Sequence, residues 1–165
     1  MKRLSIAFLA VLATGALAAP AASAAPSKDI VQTAKAAGDF KTLVELVTAA
    51  GLAKTLSGST KYTVFAPTDA AFAKVPKKTL KALANNKAAL KQVLLYHVVK
   101  GSVGAKTVVK LKSAKTVEGS KVRIKVRKGS VYLNGSTKVT KTNVRASNGI
   151  IHVINKVLIP KDLDL

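Results

Sequence analysis

The chain has 165 residues, and its 28 lysines and arginines outnumber its 7 acidic residues by 21. One domain is expected at this length. The absence of cysteine excludes disulfides, cysteine-ligated metals and a thiol nucleophile. Because 48% of the residues are hydrophobic and can build a core, disorder of the whole chain is not expected. The isoelectric point near 10.4 suggests a polyanionic partner.

Residues 1–24 have the pattern of a secretory signal peptide. Positive residues at the start precede an apolar run over residues 4–19, and Ala22-Ser23-Ala24 is a small-residue cleavage signal. The alternative is a transmembrane anchor, but the run is shorter than the roughly 20 apolar residues that a spanning helix needs. We therefore predict export to the periplasm or the exterior, cleavage near Ala24, and one domain over residues 25–165 with no transmembrane segment.

The first part of the mature chain alternates helix-capping residues with apolar residues at helical spacing, which predicts helices. The expected caps are Ser27 for the first helix and Asp39 for the second. The expected helices cover residues 28–37, 40–50, 52–56, 69–72, 77–84 and about 86–97. One strand, at residues 62–65, interrupts them, because four β-branched and aromatic residues stand together there.

The second part of the chain is predicted to form strands. The candidates cover residues 108–111, 121–127, 131–133, a short strand around Val139, and residues 150–158. The second candidate alternates strictly, so Val122, Ile124 and Val126 should face the core while four bases face outward. Helices followed by strands within one domain indicate an α+β fold.

Three segments together resemble the fasciclin-type domain. They are TVFAPTDAAF at residues 63–72, LLYHVV at residues 94–99 and NGIIHVINKVLIP at residues 148–160, and the resemblance spans about residues 27–160. It implies a compact α+β domain, a twisted β-sandwich or wedge with a group of α-helices packed along it. It also implies an extracellular, non-enzymatic role in cell adhesion and matrix interaction. Asn155 stands where the family often has Asp, which removes a carboxylate but keeps a hydrogen-bonding side chain.

Tyr96 and His97 lie where this resemblance places a motif implicated in adhesion, so they are the candidate adhesion residues. The alternative is structural, because His97 shares a helix face with apolar residues, and a buried imidazole must be hydrogen-bonded. The same reasoning favours a structural role for His152 in the last apolar segment.

Catalytic, cofactor-binding and metal-binding residues are not expected. The sequence contains no nucleophile elbow, no paired-carboxylate motif, and no zinc or calcium motif. Asp69 follows Thr68 and is expected to stabilise a helix N-terminus rather than to act as a catalytic acid. We therefore predict that the protein is not an enzyme.

A basic stripe is the feature most particular to this sequence. Lys121, Arg123, Lys125 and Arg127, continued by Lys128, would repeat about every 6.6–6.8 Å along one strand face. Such a ridge suits an acidic polysaccharide or an anionic surface, and the alternative is a solvated face that only maintains solubility. Nucleic acid is disfavoured because lysine dominates over arginine and aromatic residues are scarce. The sequence leaves the ligand and the oligomeric state open.

Overall fold

The elements of the chain are seen in a computed structural model, which describes residues 27–163. The helices in that range, α1 to α7, are Ile30–Ala37, Lys41–Ala49, Ala53–Leu56, Asp69–Ala73, Lys77–Asn85, Lys87–Tyr96 and Ala105–Val108. The strands in it, β1 to β7, are Tyr62–Pro67, Val98–Lys100, Ser113–Lys115, Lys121–Arg127, Ser130–Leu133, Thr137–Ala146 and Gly149–Ile154. The predicted signal peptide and its cleavage site lie outside the described residues. Across residues 27–163 no helix combines the length and apolar character needed to span a bilayer.

The strands form one sheet in the order β2-β1-β7-β6-β5-β4-β3. The β1–β7 pair is parallel and the other pairs are antiparallel. An antiparallel bridge between Val99 and Thr116 joins the two ends of the sheet, and the N–H of Val117 donates to the carbonyl oxygen of Val98 at 2.8 Å. The sheet is therefore nearly closed, and the predicted α+β fold is confirmed.

The core has two parts, and β1 contributes to both. Val64 packs with residues of the first six helices, whereas Phe65 packs with inward residues from the other six strands. The helices thus cover the outer side of β1 and β7, and the second cluster fills the interior of the sheet. Each fully buried aliphatic or aromatic side chain stabilises the fold by about 1.5–3 kcal/mol. The outward-facing residues of β4 are exposed to solvent.

The first two helices begin differently from the prediction. Asp29, not Ser27, caps α1, where its Oδ1 accepts a 2.8 Å hydrogen bond from the N–H of Gln32. The residue before α2 is Phe40, whose side chain has no oxygen to cap with. The oxygens of Asp69 accept instead from the N–H groups of Thr42 at 2.8 Å and Lys41 at 3.3 Å. The prediction of Asp39 as the cap is wrong, because the cap comes from a distant part of the chain.

Several strand predictions also change. Residues 108–111 do not form a strand, because Val108 ends α7 and the next three N–H groups donate to carbonyl oxygens three or four residues earlier. Oδ1 of Asn143 caps the start of α7 by accepting from the N–H of Ala105 at 2.9 Å. A short apolar run does not by itself distinguish strand from helix. The strand around Val139 is the ten-residue β6, which has register shifts between Val139 and Val144. The last strand ends at Ile154 rather than at residue 158.

Asn155 explains why the last strand stops early. Its N–H donates to the carbonyl oxygen of Lys138 at 3.1 Å, and its Oδ1 accepts from the N–H of Lys138 at 2.9 Å. The second of these bonds uses a side chain in place of a backbone carbonyl, so the regular ladder ends there. The side-chain oxygen that Asn shares with Asp is the atom that bonds.

Candidate functional site

Tyr96 is a core residue whose hydroxyl group reaches the edge of the sheet. It ends α6 and is only 5% exposed. Its hydroxyl oxygen accepts a 3.0 Å hydrogen bond from Nδ2 of Asn134. The same hydroxyl lies 3.5 Å from the carbonyl oxygen of Lys121, which is the outer limit for a hydrogen bond. Most of Tyr96 is therefore unavailable to a partner, and the hydroxyl is the part that lies next to β4.

His97 is buried deeper still, with 2% of its surface exposed. The N–H of Leu158 donates to its Nε2 at 2.9 Å, so the ring proton sits on Nδ1, which donates to the carbonyl oxygen of Val93 at 2.7 Å. Burial lowers the pKa of His97 to about 4, against the smaller raising effect of the bond to Val93. The ring is neutral at neutral pH and makes the buried hydrogen bonds that the structural interpretation predicts.

His152 has an equivalent arrangement on β7. Its Nε2 donates to the carbonyl oxygen of Val103 at 2.7 Å, and its Nδ1 accepts from the N–H of Asn143 at 3.3 Å. Its ring stacks on Phe65 with centroids 5.7 Å apart. Burial lowers the pKa of His152, and the bond to Val103 opposes that effect. Both ring nitrogens of each histidine are thus engaged by the backbone, so neither ring is placed as a free catalytic base.

The acidic side chains near the fold's turns are also engaged by the backbone. Partial burial acts to raise the pKa of Asp69, but hydrogen bonds from Thr42 and Lys41 outweigh it and leave the pKa below its usual value. The pKa of Glu118 is lowered in the same way, because bonds from Ser120 and Gln92 outweigh the effect of burial. In the described part of the chain, no three acidic or histidine side chains come together as metal ligands.

The predicted basic residues lie on the solvent side of the sheet. Lys121, Arg123, Lys125, Arg127 and Lys128 are all exposed, and we call these five residues the basic face. The inward positions of β4 are Val122 and Ile124, which are buried. Val126 was also expected inside but is 46% exposed, because the β4–β5 hairpin extends past the core at that point.

The strand register places further residues beside the basic face, on neighbouring strands, that the predicted stripe did not include. Lys115 lies directly opposite Lys121, and Tyr132 lies opposite Lys125. Lys138 lies opposite Tyr132 on its other side. Directly opposite residues in antiparallel strands share a face, with Cβ atoms about 4.5–5.5 Å apart. A row of side chains with Lys125 and Lys138 at its ends therefore crosses the strands, in addition to the bases along β4. The hairpin turns at residues 128–129 and 134–135 were the sequence signals that could have found this row.

The positive charge is concentrated in this half of the domain. Residues 98–147 contain thirteen lysines and arginines and one acid, Glu118, whereas residues 27–97 contain eleven bases and four acids. The carboxylate of Glu118 accepts from the N–H of Ser120 at 3.0 Å and from Nε2 of Gln92 at 3.3 Å. The carboxylate of Glu118 thus holds the turn before β4 and joins it to α6.

A groove connects the candidate adhesion residue to part of the basic face. It has a volume of about 560 Å³ and lies between β3, the start of β4 and the segment after β7. Its lining residues are Tyr96, Ser113, Ser120, Lys121, Arg123, Asn134, Ile159, Lys161 and Asp162. Tyr96, Lys121 and Arg123 thus meet there, while His97 and the distal residues of the basic face lie outside the lining.

A family model for the Fasciclin domain matches residues 38–160. The chain belongs to the fasciclin domain family. This fasciclin domain is 40% identical over 131 residues to an uncharacterized protein of Synechocystis, covering 79% of this chain and 97% of that protein. It is 33% identical over 134 residues to the pig transforming growth factor-beta-induced protein ig-h3, covering 81% of this chain but only 20% of that protein.

A solved structure agrees with the family assignment. The FAS1 domain pair from the insect cell adhesion molecule Fasciclin I superposes with a TM-score of 0.70 at 20% sequence identity. The match covers 84% of this chain and 53% of the solved chain. This likeness shows that the fold is shared.

Proposed function

We propose that this fasciclin domain is exported and acts as a non-enzymatic adhesion module that binds a component of a cell surface or an extracellular matrix. The observation that carries the proposal is the family match over residues 38–160. The signal-like pattern of residues 1–24 supports export. The engagement of both His97 and His152 by backbone groups supports a role without catalysis.

The burial of Tyr96 and His97 limits how these two residues could contribute to adhesion. His97 would act from inside, by holding the segment after β7 through Leu158. Tyr96 would offer only its hydroxyl, next to Lys121 and Asn134. The proposed adhesion surface is therefore the edge of the sheet around that hydroxyl.

Attachment of cells or matrix-coated beads to immobilised, exported protein tests this proposal. Dose-dependent attachment that persists at high salt is expected, and a Tyr96→Phe variant, which keeps the ring and removes the hydroxyl, should reduce it. Folding of each sample is checked by circular dichroism. A folded protein that supports no attachment at any coating density would refute the proposal.

A second candidate function is binding of an acidic polysaccharide or anionic surface through the basic face. The observation that favours it is the register that sets Lys115 directly opposite Lys121 and brings Lys138 beside Tyr132. Like charges directly opposite each other are destabilising, and solubility alone does not require that placement. A polyanion would relieve the repulsion.

Salt and charge reversal test the second candidate. Retention on an alginate column should weaken steeply with salt, because exposed charges are screened beyond about 10 Å at 0.1 M. The triple change Arg123→Glu, Lys125→Glu and Arg127→Glu should abolish retention. A matched control changes three exposed lysines of α5 to Glu, at positions Lys77, Lys78 and Lys81. Equal loss in both triple variants would mean that net charge, and not the basic face, is responsible.

A further inference from the structure

The groove beside Tyr96 combines features that solubility alone does not require. It carries positive side chains from two separate segments, Lys121 and Arg123 on β4 and Lys161 after β7. It also carries one carboxylate, Asp162, and an aliphatic side chain, Ile159, that is 39% exposed. Its volume of about 560 Å³ lies within the roughly 300–1,000 Å³ typical of small-ligand sites.

We propose that this groove binds one anionic sugar unit of an acidic polysaccharide, while the rest of the basic face follows the polymer. The inference rests on the second function proposed above and names its site. The acid group of the sugar pairs with Arg123 and Lys121. Ring hydroxyls donate to Asp162, and the C–H face of the ring packs on Ile159.

Two parts of the groove, the backbone of Arg123 and the hydroxyl of Tyr96, are already held in place. Oδ1 of Asn134 accepts from the N–H of Arg123 at 3.1 Å, and the N–H of Asn134 donates to the carbonyl oxygen of Arg123 at 2.8 Å. Nδ2 of Asn134 donates to the hydroxyl of Tyr96 at 3.0 Å. One asparagine thus fixes both the backbone that carries Arg123 and the hydroxyl of Tyr96. Fixing these two parts in advance avoids part of the ordering cost of binding.

The hydroxyl of Tyr96 can donate a hydrogen bond to a ligand. Its oxygen accepts from Asn134, so the proton is directed elsewhere, and its protein partner is the carbonyl oxygen of Lys121 at 3.5 Å. A bond of that length is weak, so an oxygen of a bound sugar can take the proton. This gives the sugar a donor that carries no charge.

Asp162 distinguishes the proposed ligand from a simple anion. A site for inorganic phosphate or acetate would be weakened by a carboxylate in its lining, because like charges repel. A sugar acid presents both an anionic group and hydroxyl donors, so it can use Arg123 and Asp162 together. The groove therefore favours a ligand that has hydroxyl groups as well as negative charge.

Amide chemical shifts of the ¹⁵N-labelled protein test the site without any substitution. Glucuronate supplies the ring and the acid, acetate supplies only the acid, and glucose supplies only the ring. We expect glucuronate to shift the amides of Ser120, Asn134 and Lys161, and we expect acetate and glucose at equal concentration and ionic strength not to do so. Equal shifts with acetate would overturn the sugar site and leave the polyanion function standing.

A pair of identical substitutions on one strand provides the second test. Arg123→Lys keeps the charge but removes the planar fork inside the groove, and Arg127→Lys makes the same change outside it. Affinity for alginate should fall about ten-fold in the first variant, because the loss of one hydrogen bond to a charged group has about that effect. The second variant should change affinity less than about two-fold, as for an exposed ion pair.

The polymers used separate the remaining outcomes. If alginate binds more tightly than dextran sulfate, the ligand of the groove is a carboxylated sugar. If dextran sulfate binds more tightly, the ligand is a sulfated sugar. Polyglutamate bound as tightly as both would overturn sugar recognition, because it has the charge without the ring. Equal effects of Arg123→Lys and Arg127→Lys would place binding outside the groove. If no polymer binds at low salt, the second proposed function fails together with this inference.

Discussion

The N–H of Leu158 donates a 2.9 Å hydrogen bond to Nε2 of His97 and so ties the segment after β7 to the end of α6. The bond needs an unprotonated Nε2, because a protonated imidazole has only donors to offer. Nδ1 keeps its proton and donates to the carbonyl oxygen of Val93. The link between the two segments therefore exists only while the ring is neutral.

The stability of the domain should fall as the pH is lowered from about 6.5 to about 4. The pKa of His97 is about 4 in the folded protein and 6.5 as the model value for the unfolded chain, so the unfolded state binds more protons between these values. The contribution is complete above pH 6.5 and lost as the pH falls to 4, with a total of about 3 kcal/mol. Urea unfolding at pH 7.0, 5.5 and 4.5 measures it.

A His97→Gln variant provides the control for this pH effect. It should be less stable at pH 7 and should show a smaller loss of stability between pH 7 and pH 4.5. The loss that persists is expected from His152, whose pKa burial also lowers. If wild type and variant lose the same free energy of unfolding over this range, His97 is not the group responsible.

Replacing Gly149 by Ala should prevent β1 and β7 from pairing. A Cβ atom at this buried position would overlap the carbonyl oxygen of Tyr62, and a backbone carbonyl in a paired strand has little room to move. We expect a loss of more than about 4 kcal/mol, or no folded protein. Gly58→Ala is the matched control, since its nearest neighbour would be the carbonyl oxygen of Thr55 at 3.5 Å. Comparable thermal midpoints for the two variants would contradict the prediction.

Asn148 should be intolerant of replacement by Asp. Its Oδ1 accepts from the N–H of Ile30 at 3.0 Å, and its Nδ2 donates to the carbonyl oxygens of Leu56 and of Gly58. Asp keeps the acceptor but loses both donors and buries a charge, so we expect a loss of about 3 kcal/mol or more. Stability measurements should show less damage at low pH, where the carboxyl group is protonated.

Asn155→Asp makes the same chemical change at a half-buried position. The bond there uses Oδ1, which accepts from the N–H of Lys138, and Nζ of Lys74 donates to the carbonyl oxygen of Asn155 at 3.1 Å. A carboxylate keeps the acceptor and lies near a positive side chain. The free energy of unfolding should change by less than about 0.5 kcal/mol. A large loss would show that the amide nitrogen of Asn155 is required.

Asp69→Ala should destabilise the domain although the residue lies outside the helix that it caps. Its oxygens accept from Thr42 and Lys41 at the start of α2, and loss of an N-terminal cap costs about 1 kcal/mol. Because the folded pKa of Asp69 is lowered, its contribution is present above pH 3.8 and is lost as the pH falls below that value.

Asp39→Ala is the control for this cap. Local sequence favours Asp39 as the cap, but its carbonyl oxygen is the group that bonds, accepting from the N–H of Asp69 at 2.8 Å. Alanine retains that carbonyl, so the chemical-denaturation midpoint should stay close to that of the wild type. If Asp39→Ala destabilises the protein more than Asp69→Ala, the local interpretation was right.

Local sequence determined the elements whose signals lie within a few residues. The capping oxygen of Asn86 accepts from the N–H of Ala89, and α6 follows as predicted. Strict alternation from Lys121 to Arg127 placed four bases outward, because side chains of a strand alternate between faces. The α+β class followed from the same kind of local pattern, whereas β2 and β3 were not predicted and the strand predicted at residues 108–111 begins at the last residue of α7.

Only the tertiary structure decided what depends on residues far apart in the chain. Asp69 caps a helix that begins 28 residues earlier, and Asn143 caps α7 from a strand 38 residues away. The row from Lys125 through Tyr132 to Lys138 depends on strand register, and the groove at Tyr96 depends on where the segment after β7 passes β4. Composition and periodicity specify which side a residue faces, whereas its neighbours across the sheet are set by the packing of the whole domain.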